Sequence, residues 1–280
     1  MNSPLELTGL TKVFDTPSGP LVAVKDVNVQ IRPGEFVCIL GHSGCGKSTV
    51  LSMLAGLSPA TLGGVVIDGH EVREPGPERA VVFQSACLLP WLSARDNVKL
   101  AFDGRSARGK DAAARADHYL DLVGVGDVSD QWPSALSLGT QQCVSLARAL
   151  STEPRFLLLD EPFSQLDSLT RFEMQDTLLR VWEESPRVVV MVTHDVDEAL
   201  YLADRLILMT DGPEATVGDI LDVPFARPRV RHDVLAQPEY YAVRRRVIDF
   251  LEHHAHQSRS SALDGVLRER AAAAAAGRES

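Results

Sequence analysis

Residues 41–49 read "GHSGCGKST", which sets Gly41, His42, Ser43, Gly44, Cys45, Gly46, Lys47, Ser48 and Thr49 in the pattern GxxxxGK[ST]. Glycines at these positions let backbone N–H groups turn inward around phosphates that side chains would obstruct. Lys47 adds a point charge, and the Ser48 hydroxyl is a ligand suited to Mg²⁺. Farther on, "RFLLLDEP" runs apolar residues into Asp160 and Glu161. The first carboxylate suits an outer metal contact, and the second suits a base that orients and polarises water. "VVVMVTHD" repeats the plan and ends in His194, whose imidazole could contact a γ-phosphate and sense its loss. Gln84 closes "AVVFQ", where its amide oxygen could reach the metal or the water.

Such groups work only if strands and helices bring them together. "EFVCIL" leads into the glycine loop as a buried strand, and "STVLSMLAGL" leads out as a helix with Leu51, Leu54 and Ala55 at helical spacing. Bound phosphates would sit at that helix's positive end. Short apolar strands recur at "VVID", "RAVVF", "RFLLLD", "RVVVMVT" and "RLILMT", separated by helical or loop-like spans, which predicts an α/β sheet. Val27 to Ile31 alternates apolar and polar residues as a half-buried strand before a Pro33-Gly34 turn.

Between about Leu92 and Ala149 no strand is predicted. Helical spans such as Ala112 to Val123 stand there instead, with Tyr119, Leu122 and Val123 sharing a face, so a helical insert interrupts the α/β pattern. After Pro224 the pattern loosens into "ARPRVRHD", and Val243, Val247, Phe250 and Leu251 then mark an amphipathic helix. The last twenty residues are read as frayed helix or disorder. "RRR" at 244–246 and the histidines of "EHHAHQ" (His253, His254, His256) are read as solvated helical surface rather than a lipid or metal site.

Composition narrows the function. A formal charge of −10 over 280 residues argues against a dedicated nucleic-acid binder, which needs excess Lys and Arg to neutralise phosphates. Four cysteines without a CxxC pair, and an N-terminus without a signal-peptide pattern, read as a reducing, cytosolic chain. Runs such as "VVVMV" are far below the roughly 20 residues needed to cross a bilayer, so a membrane role would come through a partner.

Taken in order, "GHSGCGKST", "VVFQ", "LSLGT", "FLLLDEP", "SQLD" and "VTHD" resemble the ATP-binding-cassette (ABC) ATPases over about residues 5 to 225. These are that family's Walker A, Q-loop, signature, Walker B, D-loop and switch-histidine motifs. The resemblance implies a P-loop NTPase fold of class α/β: a RecA-like core, an antiparallel β subdomain and a helical insert. It divides the chain into an ATPase domain at 1–225, with a helical subdomain at about 92–149, and a C-terminal helical extension at 226–280 with a disordered tail.

The resemblance also implies roles. Phe14 would stack on adenine, and Gly41 through Thr49 would wrap the phosphates of ATP. Ser48, Gln84 and Asp160 would serve Mg²⁺, Glu161 would be the catalytic base, and His194 would steady the γ-phosphate. In the family two cassettes close head to tail, so the signature of one caps the ATP of the other. Ser137 as N-cap of a helix from about Leu138 fits that task, because the unsatisfied N–H groups give the helix start a partial positive charge. Ser137, Gly139 and the D-loop Asp167 thus join the nucleotide-binding positions.

This chain departs from the usual LSGGQ or LSGGM. Leu138 replaces the first glycine and Thr140 the last residue, Gln141 and Cys143 stand where a basic residue is common, and the D-loop is "SQLD". Either Leu138 crowds an approaching phosphate, or its side chain turns into the helical subdomain and costs nothing.

"PGPERAVVFQSACLLPWLSARDNV" and the stretch from "VTHDVDEAL" onward look like importers of nitrate, sulfonate, taurine and related solutes, nitrate-type above all. That type implies a second ATPase subunit, identical or not, two transmembrane permease subunits and, acting indirectly, a periplasmic or surface solute-binding protein; it would place this chain peripherally at the cytoplasmic face of the inner membrane. Leu88, Leu89, Pro90 and Trp91, close after Gln84, offer an apolar patch able to receive a partner's helix, although Trp91 could equally pack the insert. A mainly nucleotide-binding, weakly hydrolytic partner in an asymmetric dimer is the competing reading, carried by the altered signature. A cassette of DNA repair or translation should show a long coiled-coil insert or two cassettes in one chain, and neither is present.

Overall fold

The computed structural model describes residues 4–102 and 110–254. The expected disorder of the last twenty residues, and His256, lie outside them. The chain opens with two long antiparallel strands, β1 (Leu5–Thr16) and β2 (Gly19–Ile31), before β3 (Phe36–Leu40) crosses into a second sheet. Helix α1 (Lys47–Leu54) follows, and β4 (Leu62–Ile67) and β5 (His70–Glu71) return to complete a four-stranded antiparallel sheet in the order β2-β1-β4-β5. Of β2, the sequence pattern marks only Val27–Ile31. The register of the β1–β2 pair shifts between Leu7 and Leu10 and twice more before Val13, and each shift breaks the two-residue period.

The second sheet adds β6 (Arg79–Val82), β7 (Phe156–Asp160), β8 (Val188–Thr193), β9 (Arg205–Met209) and β10 (Val217–Asp222) in the order β10-β9-β3-β8-β7-β6. All neighbours pair in parallel except β10, which runs antiparallel along β9. β3 and β8 are buried on both faces, so they read as continuous apolar runs without alternation. Period two still sorts their side chains: Phe36, Cys38 and Leu40 face one core, while Val37 and Ile39 face the other with α1 and the antiparallel sheet.

Three helices fill the segment without strands: α2 (Ala94–Lys99), α3 (Lys110–Leu122) and α4 (Leu138–Leu150). They meet through Val98, Ala116, Leu120 and Val144, all fully buried, and join the core that also holds α5 (Ser168–Glu184) and α6 (Val196–Leu202). A leucine buried as Leu120 is contributes roughly 2 kcal/mol.

The stretch 226–233 is anything but loose. The Arg227 guanidinium stacks 4.1 Å over Trp182, and Arg231 lies 3.9 Å over Tyr201. Between them Arg229 is buried and donates to the carbonyls of Phe225, Tyr201 and Ala203. These anchors lead into α7 (Arg231–Leu235) and α8 (238–254). On α8, Tyr240 and Val247 are buried, and Val243, Phe250 and Leu251 pack beside them, the face that the sequence spacing marks. Arg244 and Arg246 bind Asp197 and Asp219, so two of the three consecutive arginines have specific partners. His253 and His254 are the last described residues of α8, and among the described residues no group of three or more His, Cys, Asp or Glu could hold a metal.

Candidate active site at the strand ends

Parallel register fixes the site. Leu40 of β3 lies beside Thr193 of β8, Val192 beside Asp160 of β7, and Leu159 beside Val82 of β6. With strands spaced about 4.8 Å apart, the residues following these four ends come to one edge of the sheet. They are Gly41, His194, Glu161 and Gln84, separated by up to 153 positions along the chain.

The glycine loop leaves β3 with Gly44 and Gly46 at φ of 83° and 87°, in the left-handed region. A Cβ on Gly46 would come within 2.5 Å of Val24 Cγ2, so β2 lies too close to the loop for any side chain there. Lys47 is buried, and its Nζ donates to the carbonyls of Gly41 and His42 at 2.8 Å each, closing the loop around the charge. His42 Nδ1 lies 2.8 Å from Asp211 Oδ1, Cys45 is buried, and Ser43 is exposed. Thr49 is half-buried on the first turn of α1.

Ser48 Oγ donates to Asp160 Oδ1 at 2.8 Å. Burial pushes the Asp160 carboxyl above the usual carboxylate range; the Ser48 bond opposes that shift, and the neighbouring Glu161 charge adds to it. Glu161 occupies a left-handed conformation (φ 45°) held by its N–H on the Val192 carbonyl at 2.9 Å. This turn swings its carboxylate to 3.2 Å from His194 Nδ1 and 3.4 Å from Gln84 Nε2. Gln84 thus presents its amide nitrogen to Glu161, with a second contact of 3.4 Å to Ser164 Oγ.

Phe14 stands on β1, partly exposed, paired across the hairpin with Leu21 and with the Lys12 ammonium 5.1 Å over its ring. The hairpin that carries it is the one whose Val24 presses on Gly46.

Ser137, Gly139 and Asp167 form a separate cluster, and among the described residues no hydrogen bond joins them to residues 41–49. Ser137 caps α4, its Oγ accepting from Thr140 N at 3.1 Å and sharing a hydrogen bond with Thr140 Oγ1 at 2.9 Å. Thr140 therefore reinforces the cap. Gly139 is buried, and a Cβ there would come 2.8 Å from Thr170 Cγ2. Asp167 caps α5, accepting from Leu169 N and Thr170 N at 3.1 Å each and from Thr170 Oγ1 at 2.6 Å. The Thr170 bonds hold its carboxyl below the usual range.

Leu138 neither packs inside the helical segment nor stands free. It is 59% exposed and lines a cavity of about 190 Å³ with Ser85–Leu88, Gln165 and Leu166. Gln141 donates to the Pro133 and Leu136 carbonyls, and Cys143 is buried, its thiol pushed up to about 12 by desolvation.

Two residues that sequence reasoning passed over organise the segment after Gln84. Asn97 is fully buried: it accepts from Leu89 N and donates to the carbonyls of Leu89, Leu92 and Ser93. This fixes the loop that presents Trp91, which is 63% exposed. Gln142 Nε2 donates to the Phe83 carbonyl at 3.0 Å, tying α4 to the residue before Gln84. The Ser93-x-x-Asp96 cap, with Asp96 N on Ser93 Oγ at 3.1 Å, was the local signal for the start of α2.

A family model described as "ABC transporter" matches residues 24–164. The chain is 50% identical over 242 residues to the "Nitrate import ATP-binding protein NrtD" of Synechococcus elongatus, covering 86% of this chain and 88% of that protein. It is 46% identical over 250 residues to the "Bicarbonate transport ATP-binding protein CmpD" of Synechocystis sp., covering 88% of each. Among solved structures, the "Dimeric structure of a post-hydrolysis state of the ATP-binding cassette MJ0796 bound to ADP and Pi" matches with a TM-score of 0.72 and 32% identity, over 79% of this chain and all of that one.

Proposed function

Because the chain belongs to the ABC transporter family, we propose that it is the ATP-hydrolysing subunit of an importer for a small anion. The observation that carries this reading is the grouping at one sheet edge of the Lys47 loop, the Ser48–Asp160 pair and the Glu161–His194 pair. Relatives named for nitrate and bicarbonate support a small oxyanion as the cargo.

The N–H groups of Gly41–Thr49 and Lys47 hold the phosphates of ATP. Glu161 accepts a proton from a water whose oxygen attacks the γ-phosphorus; the bond from that phosphorus to the β–γ bridging oxygen breaks, giving ADP and phosphate. His194, oriented by Glu161, contacts the γ-phosphoryl oxygens, and Phe14 takes the adenine. The Ser48 hydroxyl and the Asp160 carboxylate put two hard oxygens 2.8 Å apart, and burial disfavours that carboxylate as an anion whereas a cation would stabilise it, so this pair fits Mg²⁺; Gln84, whose amide nitrogen is turned to Glu161, would join them only by presenting its amide oxygen instead. When bound, Mg²⁺ neutralises charge on the β- and γ-phosphates.

Ser137, Gly139 and Asp167, which among the described residues share no hydrogen bond with residues 41–49, serve the ATP of a second cassette, a role that the dimeric solved relative supports. The exposed Trp91 segment receives a permease subunit, two of which stand in the membrane above a solute-binding protein outside. No helix among the described residues is long and apolar enough to cross a membrane. As the ATPase subunit of such an importer, the chain acts peripherally at the cytoplasmic face of the inner membrane.

Glu161→Gln tests the reading. With permease subunits supplied, kcat for MgATP should fall by roughly 10²- to 10⁴-fold while nucleotide affinity persists, and the MgATP-loaded variant should accumulate as a dimer. A variant that stays monomeric, or that hydrolyses at the parent rate, would overturn it.

A further inference from the structure

The segment 166–171 touches both halves of the candidate site within one chain. On one side Thr170 packs against Gly139 at the start of α4. On the other side Arg171, one turn into α5, reaches back with Nη2 to the Leu166 carbonyl (3.2 Å) and across with Nη1 to Asp195 Oδ2 (3.5 Å). Asp195 follows His194 directly. Its other oxygen caps α6, accepting from Asp197 N at 3.0 Å and Glu198 N at 3.1 Å, and its own N–H donates to Thr193 Oγ1 at 3.0 Å.

From this geometry we infer that Arg171 is a positioning residue: its guanidinium clamps the D-loop carbonyl of Leu166 to the Asp195 carboxylate and so couples movement of the signature and D-loop end to the placement of His194. The inference rests on the reading of the site as an ATPase that closes against a second cassette. A planar guanidinium suits the task because its donors are fixed relative to one another, so one acceptor cannot shift without straining the bond to the other. Lysine carries the same charge but lacks that fork. Arg171 Nε is buried and has no hydrogen-bond partner among the described residues.

In the proposed dimer, the Ser137 end of one chain clasps nucleotide held by its mate, while His194 of the same chain contacts its own nucleotide. Residues 166–171 span the distance between these two duties. Closure at one site would therefore reach the switch histidine of the other through Leu166, Arg171 and Asp195. Spatial intermediacy alone does not establish coupling, and a double-mutant cycle does.

The test uses the full chain, with and without its permease subunits, in four forms: parent, Arg171→Ala, Asp195→Asn and the double variant, with Arg171→Lys alongside. ATP affinity, kcat and KM are measured, together with hydrogen exchange of the amides at 163–170 and 194–198 in the nucleotide-free protein. Arg171→Ala should lower kcat about tenfold with ATP affinity and KM within twofold. Asp195→Asn should do much the same, and the double variant should be no slower than the worse single. Exchange should quicken in both segments in each single variant, and Arg171→Lys should not restore kcat. Additive losses in kcat, full rescue by lysine, or exchange that changes only in the mutated segment would overturn the clamp. If the parent protein shows no hydrolysis in any form, the ATPase reading fails instead, and the exchange data still decide whether Arg171 links the two segments.

Discussion

Leu138→Gly restores the glycine that the ABC signature usually carries, and the structure fixes what it should do. The Leu138 side chain is 59% exposed and lines the cavity beside Ser85–Leu88 and Leu166, and the Ser137 hydroxyl makes its bonds to Thr140. Less than half of its apolar surface is buried, so its removal forfeits about 1 kcal/mol, with a few tenths more for the added freedom of glycine at a helix start. For a chain of this size that lowers Tm by about 3 °C. The cap itself does not depend on Leu138, because Thr140 supplies both the N–H and the second hydroxyl. Hydrolysis by the assembled transporter should therefore change by less than about twofold, under ~0.5 kcal/mol in transition-state free energy. Steady-state ATPase assays on parent and variant, with differential scanning calorimetry on both, provide the check. A tenfold gain in kcat/KM, about 1.4 kcal/mol, would show that Leu138 obstructs the phosphate and would favour the weakly hydrolytic partner of an asymmetric dimer.

Arg229→Met should cost about 3 kcal/mol in urea unfolding, since it strands the carbonyls of Phe225, Tyr201 and Ala203 inside the protein; a loss under 1 kcal/mol would refute the anchor. Burial lowers the Arg229 pKa to about 10, which still leaves it charged at neutral pH. Burial pushes the Asp197 carboxyl up, but hydrogen bonds from Arg244 and Tyr240 outweigh it and hold it below the usual range. A depressed carboxylate stabilises the folded state above its unfolded pKa of about 4 and loses that effect as pH falls through the folded value. Protection of 238–254 against hydrogen exchange, taken relative to the intrinsic exchange rate at each pH, should therefore fall on acidification below pH 4 in the parent protein, and Asp197→Asn should flatten that dependence.

The motifs and strands that build the candidate site were legible because each is a local pattern: an apolar run, then the residue proposed to do chemistry. Asp160, Glu161, His194 and Gln84 each end such a run, and parallel register converts four separate run-ends into one edge. What stayed hidden depends on partners far along the chain. Arg171 meets Asp195 across 24 positions, Gln142 meets Phe83 across 59, and Arg229 finds its carbonyls mostly near residue 200. Charged and amide side chains give no periodic signal when each serves one distant acceptor, so "ARPRVRHD" read as loosened sequence although Arg227, Arg229 and Arg231 all turn onto the protein.

This division has a physical basis. Apolar periodicity reports which face is buried and is shared by many residues, so it survives in the sequence as a pattern. A planar donor group aimed at two acceptors reports a single relative position of two segments, which no pattern encodes. In this protein the pattern places the phosphate loop and the carboxylates, whereas the single contacts set how the Ser137 end, the D-loop and His194 move with respect to one another. The proposed chemistry is thus readable before the fold is known, and its proposed coupling to a second cassette becomes readable only once Arg171 is seen to reach both Leu166 and Asp195.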